Sequence, residues 1–592
     1  MYSLRYWRAE KKGEIVRKSK LFILALAFVM IFALALTGCN DDNGYDDPAN
    51  DVATNDAPGV EGAVAGGTFR MYINEPQHLD PYNAGESEGL HVLHAIFNPL
   101  VRPGYLDPTE IVPAAATGYS VNEDATEFTF YLLPDGRFAD GTPVTADDFI
   151  FAWNRIVHPE TTSTLTGDVD PGTIFSQLAA VEGFDAVRNG DADELTGLSA
   201  PDDHTLVVTL SHPFADFIMN VMHGSLGPVP RDLVENGVEF EGETVPFGLM
   251  PIGNGPFMME EPWARDQFIH VTQNPYYTGP FTPYLDRIEF RIFSDMDAAF
   301  MEFNAGGLDY TDISIGQFQT TAAAHGLASN GYTANPGERV IGGAQAGTYF
   351  IIMNTQAYPT DNPDVRRAIT LAIDRDAIND LVWEGAYTVA GDFLPPGIPG
   401  HDNTSWADSR FDPEAAAQAL ADAGYPGGEG FAPITLSFNA GAGHEEIMEI
   451  VQSNLADIGI EAVFDGMEWG TYLEMIDAGN FQIGRLGWMA SYPSPHYFLW
   501  EIFDSEAGNN FSQFENAEVD AAMAAATKLT GDGAEIAAAW QEISAMIGDH
   551  NPVVPVAFYA HRIVTSERVN NVTVSPLNNI DFSNIWIAED QQ

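Results

Sequence analysis

The sequence holds one cysteine, Cys39, in 592 residues, so no disulfide can form within the chain and a packed core must stabilise the fold. Basic residues are scarce as well. The first 38 residues hold seven of the 25 Lys and Arg residues and two of the 85 Asp and Glu residues. The rest of the chain therefore has 18 basic and 83 acidic residues, which give it a net charge of −65. So acidic a chain repels phosphates, which argues against nucleic acid as a partner.

Sequence signatures of catalysis are few. The zinc motif His-Glu-x-x-His does not occur, and Cys39 is the only thiol. Carboxylates are so numerous that an acidic pair predicts nothing. We therefore expect a protein that is not an enzyme, with no catalytic residue, no metal and no cofactor. The alternative is an exported hydrolase or peptidase, which peptide turnover followed by mass spectrometry would reveal.

The amino terminus has the layout of an export signal. A basic segment precedes an apolar run from Leu21 to Leu36, and Leu36-Thr37-Gly38-Cys39 ends it. A cysteine at this place resembles the bacterial lipobox, whose thiol receives a diacylglycerol. A buried lone thiol or a membrane span are the other interpretations, although a span needs about 20 residues.

We accordingly predict a lipoprotein signal peptide over residues 1–38, lipid attachment at Cys39 and a flexible acidic tether over residues 39–66, which are rich in Asp, Asn, Gly and Ala. The expected location is extracytoplasmic. The lipid would hold the chain on the outer face of the bacterial cell membrane, or in the periplasm if the host has an outer membrane.

Strand and helix patterns alternate from Thr68 onward, which favours α/β lobes. Thr145 and Asp148 predict a capped helix start, with Phe149, Trp153 and Ile156 on its buried face. The predicted strands are 127–132, 205–210 and 434–438, and the predicted helices are 364–381, 413–423 and 444–458.

Several blocks, in this order along the chain, resemble the extracytoplasmic solute-binding proteins, family 5, of peptide ABC importers, and most of all their oligopeptide-binding branch. The blocks are Asp135–Phe149, Gly253–Phe257, Asn274–Tyr277, Val365–Ile369 with Ala372–Arg375, Gly487–Ala490 and Val553–Val556.

The resemblance implies an α/β, two-lobed, type II periplasmic-binding-protein-like fold of three subdomains around a central hinge cleft. Residues 67–97, 250–336 and 555–592 would form a discontinuous subdomain I, residues 98–249 subdomain II and residues 337–554 subdomain III, the second lobe. The implied partners are a peptide ligand and the permease subunits of an ABC importer with their cytoplasmic ATPases. The chain itself is expected to be a monomer.

The resemblance also implies ligand-binding residues in the second lobe. The strand around Gly487 would bind the peptide backbone, Arg485 its carboxylate, and two tryptophans its side chains. The predicted ligand-binding residues are Asn439, His444, Trp469, Arg485, Gly487, Trp488, Met489, Ser491 and Tyr559. Structural roles are the alternatives: core packing for the tryptophans and Tyr559, a helix start for His444, and an ion pair with an internal acid for Arg485.

One position departs from the family pattern. Ser491 stands where relatives carry an aspartate that pairs with the peptide ammonium. An ammonium is costly to desolvate without a charged partner. Another carboxylate must then reach the amine, or the amine stays hydrated, or the ligand has none; Glu468, Asp504 and Glu506 are the candidate carboxylates. Leu165 falls where oligopeptide binders carry a tyrosine.

The predicted function is therefore a lipid-anchored substrate-binding protein that captures oligopeptides and delivers them to a permease. Two alternatives remain open. A non-peptide solute on the same fold is favoured by Ser491. A surface peptide sensor without transport would be distinguished by the absence of neighbouring permease genes.

Overall fold

The computed structural model describes residues 62–591, apart from residue 173 and residues 530–532. The predicted signal peptide, Cys39 and the tether up to residue 61 lie outside the described residues. Within the described part, no helix is both long and apolar enough to cross a membrane.

A mixed seven-stranded sheet gathers strands from distant parts of the chain. Its central strand Thr68–Ile73 pairs in parallel with Arg287–Ile292 on one side and with Tyr310–Asp312 on the other. In spatial order the strands are Phe257–Met259, Phe268–Gln273, Arg287–Ile292, Thr68–Ile73, Tyr310–Asp312, Ile563–Thr565 and Val340–Ile341.

A six-stranded sheet is built from the second half of the chain. In spatial order its strands are Thr388–Val389, Val553–Ala560, Ala344–Met353, Ile483–Met489, Ile434–Asn439 and Ala462–Met467. The predicted subdomain boundary between residues 554 and 555 falls inside Val553–Ala560, which pairs with Ala344–Met353 from Val553 to Ala560. The subdomain ranges stay predictions.

A four-stranded antiparallel sheet comprises, in spatial order, Ala116–Val121, Glu127–Leu132, Thr205–Thr209 and Leu198–Asp202. Among the described residues, four short antiparallel pairs form separate two-stranded sheets. They are Val101–Pro103 with Ile111–Pro113, Val238–Phe240 with Glu243–Val245, Thr333–Ala334 with Val572–Thr573, and Val569–Asn570 with Trp586–Ile587.

Helices cover the faces of these sheets. The α-helices are Ser87–Ile96, Ala146–Val157, Phe184–Arg188, Phe217–Asn220, Arg231–Asn236, Met296–Asn304, Phe318–His325, Pro363–Ala372, Arg375–Val382, Pro413–Asp422, Glu445–Asp457, Trp469–Asp477, Pro495–Phe503, Ala517–Ala526 and Gly533–Gly548. Single 3₁₀ turns occupy Pro81–Asn83, Ile174–Leu178, Gly224–Leu226, Phe247–Leu249, Pro426–Gly428 and Glu589–Gln591.

Most local predictions are confirmed. The strands 127–132, 205–209 and 434–439 agree with prediction to within a residue. At the start of Ala146–Val157 the Asp148 carboxylate accepts hydrogen bonds from the main-chain N–H and the hydroxyl of Thr145. Pro413–Asp422 ends before Gly424, whose φ of 99° suits glycine at a helix end.

One predicted helix is wrong in its continuity. The segment 364–381 contains two helices, Pro363–Ala372 and Arg375–Val382, because Ile373 is extended and Asp374 caps the second helix through Ala377 N–H. The buried Arg375 guanidinium donates to the carbonyls of Thr370 and Ile373, which the break leaves without helical partners. The hydrophobic period alone continues across this break, so it could not reveal it.

The two larger apolar cores of the described residues support the site. One continues from the seven-stranded sheet through the four-stranded sheet to helix Pro495–Phe503. The other packs helices Pro363–Ala372 and Glu445–Asp457 against the six-stranded sheet.

Candidate functional site

A cavity of about 1030 Å³ lies between residues of the seven-stranded sheet, such as Tyr72 and Asp312, and residues of the six-stranded sheet, such as Arg485. Ligand pockets usually measure about 300–1,000 Å³, so this one suits a ligand at the large end of that range. All of the predicted ligand-binding residues lie on its wall: Asn439, His444, Trp469, Arg485, Gly487, Trp488, Met489, Ser491 and Tyr559. Their contact with a ligand stays a prediction.

Arg485 is a buried cation on this wall, with 8% of its surface exposed. Its Nε donates a 3.0 Å hydrogen bond to Asn439 Oδ1, and its Nη2 donates to His444 Nε2. The Tyr472 hydroxyl forms hydrogen bonds with both main-chain polar groups of the same residue. It donates to Arg485 O at 2.6 Å and accepts from Arg485 N at 2.9 Å. The guanidinium is thus oriented by neutral groups.

His444 is neutral in this arrangement. Burial, together with the Arg485 charge, holds the pKa of the imidazole well below its ordinary 6.5. Because Nε2 accepts from Arg485, the ring proton of the neutral tautomer is on Nδ1, which donates to the Tyr349 hydroxyl at 3.3 Å. The helix-start alternative for His444 also holds, since His444 precedes Glu445–Asp457.

No ion pair within the described residues involves Arg485, so the alternative of a pair with an internal acid is not what the geometry gives. Glu88 is a carboxylate whose pKa the Arg485 charge affects. Burial raises the pKa of Glu88, and the Arg485 charge partly opposes that rise. A buried guanidinium without a carboxylate partner keeps donor capacity for an anionic group in the cavity.

The strand that carries Arg485 has an open edge. Ile483–Met489 pairs with Ala344–Met353 along its whole length. On its other side it meets Ile434–Asn439 only where Ile483 lies opposite Leu436. As far as the described residues go, the residues after Ile483 therefore have a partner strand on one side alone.

The pairing register shows which main-chain groups face that open edge. Ala490 N donates to Ala346 O at 2.8 Å, and bonded pairs alternate with non-bonded pairs along an antiparallel ladder. Gly487 and Met489 fall at the non-bonded positions, so their N–H and C=O groups point away from Ala344–Met353. Outside the sheet ladder, the described residues make no hydrogen bond to the main chain of Gly487 or Met489.

Two tryptophans line the cavity with different degrees of anchoring. Trp488 Nε1 donates to Tyr497 O at 2.9 Å, and the two rings stack with centroids 5.1 Å apart. Trp469 stacks on Tyr472 at 6.1 Å, and within the described part of the chain its buried Nε1 has no hydrogen-bond partner. Both pack on the apolar core as well as facing the cavity, so the core-packing alternative is part of their role.

Ser491 is already engaged, because its Oγ lies 3.0 Å from the Tyr497 hydroxyl. Of the three carboxylates considered as substitutes for the family's aspartate, only Glu468 lines the cavity. Glu468 also accepts from Gly470 N at 3.1 Å as a helix cap. Asp504 and Glu506 are absent from the cavity wall, and Leu165 is on it.

The sequence reasoning missed the opposite wall. Asp312 and Arg562 face the cavity from the ends of neighbouring strands in the seven-stranded sheet. Burial raises the pKa of Asp312 to about 6, while Arg562 lowers it. Asp312 and Arg562 are 250 positions apart in the chain, and no local pattern links residues that only sheet pairing brings together.

A serine motif at the cavity was also missed. Gly85–Gly89 fits the pattern Gly-x-Ser-x-Gly of a nucleophile elbow, in which the serine sits on a strand-to-helix turn beside a histidine base. Ser87 instead opens helix Ser87–Ile96 after a loop. Across the described part of the chain, no hydrogen bond joins Ser87 to a histidine, so the motif lacks the geometry of a nucleophile.

Comparison with known proteins agrees with this architecture. The family model "Bacterial extracellular solute-binding proteins, family 5 Middle" matches residues 110–510. The periplasmic murein peptide-binding protein MppA of Escherichia coli is 30% identical over 465 residues, which are 77% of this chain and 81% of that protein. The matched family consists of solute-binding proteins, consistent with the expectation that this chain is not an enzyme.

Two solved structures, one with a bound peptide and one unliganded and open, align with this chain. Haemophilus influenzae OppA in complex with RPPGFSPFR aligns with a TM-score of 0.77 at 25% identity, over 88% of this chain and 99% of that one. MppA in its unliganded open form aligns with a TM-score of 0.59 at 27% identity, over 89% and 99%. The two-lobed, type II periplasmic-binding-protein-like α/β fold is thereby confirmed. The chain belongs to the bacterial extracellular solute-binding proteins, family 5.

Proposed function

We propose that this protein captures an oligopeptide in the cavity and delivers it to the membrane permease of an ABC importer. MppA is named a murein peptide-binding protein, and the OppA structure is a complex with the peptide RPPGFSPFR. A receptor that accepts many peptides must hold their shared part, which is the main chain and its ends, and leave the side chains in roomy surroundings.

The open edge of Gly487–Met489 is the observation that carries this proposal. A peptide laid along it as an added strand would exchange main-chain hydrogen bonds with Gly487 and Met489, whatever its sequence. The next residue whose main chain faces the same side is Arg485, and Tyr472 has already bonded it. The added strand would therefore end near the Arg485 guanidinium.

The carboxylate end of the peptide then meets Arg485. A carboxylate and a guanidinium form paired, charge-assisted hydrogen bonds, and burial strengthens them. Asn439 and His444 hold the guanidinium in place before the ligand arrives, so little side-chain freedom is lost on binding.

The amine end differs from the family pattern. At Ser491 the ligand would meet a hydroxyl that shares a hydrogen bond with Tyr497, without a formal charge. We infer that the peptide amine contributes less to affinity here than it would beside an aspartate, and that it stays partly hydrated.

Anchoring belongs to the same proposal. A lipid on Cys39 would keep the receptor near its permease, and residues 39–66 would tether it. The three subdomains would close around the ligand, and a monomer would dock on the permease. Cys39 and residues 40–61 lie outside the described residues, so anchoring is tested on the exported full chain.

The decisive experiment identifies what the exported protein carries. Mass spectrometry of ligand released from the native protein should give peptides, and calorimetry should then show that one such peptide rebinds intact. A released non-peptide solute would overturn the peptide assignment, and progressive peptide cleavage would overturn the conclusion that the protein only binds. The sensor alternative predicts the same ligand but no uptake by cells.

A further inference from the structure

Glu501 is a fully buried carboxylate, 0% exposed, on helix Pro495–Phe503. Two of its hydrogen-bond donors lie outside the part of the chain that carries it. Gln177 Nε2 donates to Oε1 at 3.0 Å, and the Ser176 hydroxyl donates to Oε2. Asn509 Nδ2 adds a longer bond of 3.4 Å to Oε2.

Ser176 and Gln177 belong to the 3₁₀ turn Ile174–Leu178, more than 300 residues before Glu501. The turn packs beside helix Ala146–Val157 and the four-stranded sheet. Glu501 lies on the helix that follows strand Ile483–Met489 of the six-stranded sheet. Glu501 therefore joins a turn beside the four-stranded sheet to a helix that follows the six-stranded sheet's strand Ile483–Met489, and residues of both elements line the cavity.

Further contacts run along the same seam. The Tyr492 hydroxyl donates to Gln177 Oε1 at 2.8 Å, and Ser494 Oγ donates to Asp216 Oδ2 at 3.1 Å. Phe214 packs against His496 with ring centroids 5.1 Å apart. Gln177 is thus bonded twice from the opposite side, once by Glu501 and once by Tyr492.

The seam also reaches the ligand cavity. Gln177 and Asn509, both partners of Glu501, are on the cavity wall together with Ser491. Among the described residues no basic side chain forms an ion pair with Glu501, so its charge rests on neutral donors. A buried carboxylate without a cation is costly, and water would relieve that cost as soon as the two sides part.

We propose that Glu501, with Ser176 and Gln177, is a latch of lobe closure: its carboxyl group is enclosed when the two sides of the cavity meet and hydrated when they separate. The inference rests on the closing cleft of the proposed function, but it concerns the closure equilibrium and needs no particular ligand. The fit to the peptide complex, closer than to the unliganded open form, supports a closed arrangement here.

The latch makes closure depend on a proton. Burial raises the pKa of Glu501 to about 7 from an ordinary 4.5, against the opposing effect of Ser176 and Asn509. The other acids at the seam are Asp504, which raises that pKa further, and Asp216, whose own pKa burial also raises. Tyr492, Tyr497, His496 and His212 also line the seam. Burial raises the pKa of both tyrosines and lowers that of both histidines, so these four stay uncharged near neutrality.

The sign follows from linkage. The closed state holds the Glu501 proton more tightly than the open state, so closure is favoured at low pH and weakens as pH rises through about 7. Between pH 6 and pH 8 the ratio of closed to open protein should fall roughly tenfold. Ligand affinity should fall by the same factor if binding needs closure.

The test measures closure directly. Spin labels are placed at Val121→Cys and Val463→Cys, two exposed positions on the four-stranded and six-stranded sheets, in the full chain with Cys39→Ser. Distance distributions are recorded at pH 6 and pH 8 without ligand, for the parent, for Glu501→Gln and for the exposed control Glu506→Gln. Circular dichroism confirms that each variant folds.

The latch predicts a shift toward the longer distance at pH 8 in the parent and in Glu506→Gln, and no shift in Glu501→Gln. An amide at residue 501 takes up no proton. It can accept from Gln177 and donate to Ser176, and it loses only the longer bond from Asn509 Nδ2, which would face the amide nitrogen. The same pH shift in Glu501→Gln as in the parent would overturn the latch, as would no shift in the parent. Failure of peptides to bind would instead count against the proposed function and leave this result intact.

Discussion

The Tyr559 hydroxyl occupies the space that a side chain at Gly487 would need. A Cβ built on Gly487 overlaps that hydroxyl, so glycine is required for the tyrosine to approach the strand edge. Tyr559 is held from behind by rings of Tyr387 and Tyr349, with centroids 5.6 and 6.1 Å away. The open edge and the aromatic wall of the cavity are therefore built as one unit.

Gly487→Ala should push the Tyr559 ring out of place and weaken ligand binding. Overpacking of this kind costs about 1–3 kcal/mol of unfolding free energy, because the displaced Tyr559 ring loses its contacts with the Tyr387 and Tyr349 rings. Thermal unfolding and calorimetry measure the two effects. Adding Tyr559→Phe, which removes the overlapping hydroxyl, should recover part of the stability. If the double variant were no more stable than Gly487→Ala, the overlap would not be the cause.

Arg485→Gln should abolish discrimination between a peptide with a free C-terminal carboxylate and its C-terminal amide. For the unmodified protein, amidation should weaken binding by about 2–5 kcal/mol, since it leaves the buried guanidinium without an anionic partner. Calorimetry on the two peptides with both proteins completes the cycle. Equal affinity of the unmodified protein for acid and amide would contradict the role assigned to Arg485.

Ser491→Asp should strengthen binding of free-amine peptides relative to their N-acetylated forms. An aspartate supplies the charge that a desolvated ammonium lacks beside a hydroxyl, and roughly a tenfold gain in the ratio is expected. Ser491→Asn is the matched control, because asparagine has the shape of aspartate without its charge. If acetylation of the peptide already abolished its binding to the unmodified protein, another acid would have to pair with the amine.

Asp374→Ala should destabilise the second lobe without touching the cavity wall. Asp374 caps helix Arg375–Val382 at the break between two helices, and loss of such a cap costs about 1 kcal/mol. Asp376→Ala, an exposed acid in the first turn of the same helix, should cost less. Chemical denaturation compares the two, and equal losses would argue against the cap.

Local structure was largely predictable from the sequence. The alternation at Glu127–Leu132 and the Thr145–Asp148 cap depend on neighbours a few residues apart, and both occur as expected. The break at Ile373–Asp374 was not predicted, because the hydrophobic period continues across it. The Asp374 cap and the Arg375 hydrogen bonds to the carbonyls of Thr370, Ile373 and Pro555 compensate for the break, and a hydrophobic period carries no information about such polar contacts.

The site was predictable only through the family blocks. They named the Gly487 strand and Arg485, and the structure brings all of those residues to one cavity. They did not name Asp312, Arg562 or Glu501, because these have no motif around them and acquire a role only from what faces them.

By itself, the sequence determined the acidic, disulfide-free character of the chain, the alternation of strands and helices, and family membership, because composition and short-range patterns specify these. Only the tertiary structure decided that Gly487 and Met489 face an open edge, that Arg485 has no acid partner among the described residues, and that Glu501 is buried against Ser176 and Gln177. These properties depend on which distant residues exclude water from a group or bond to it, and that is settled only when the sheets pack together.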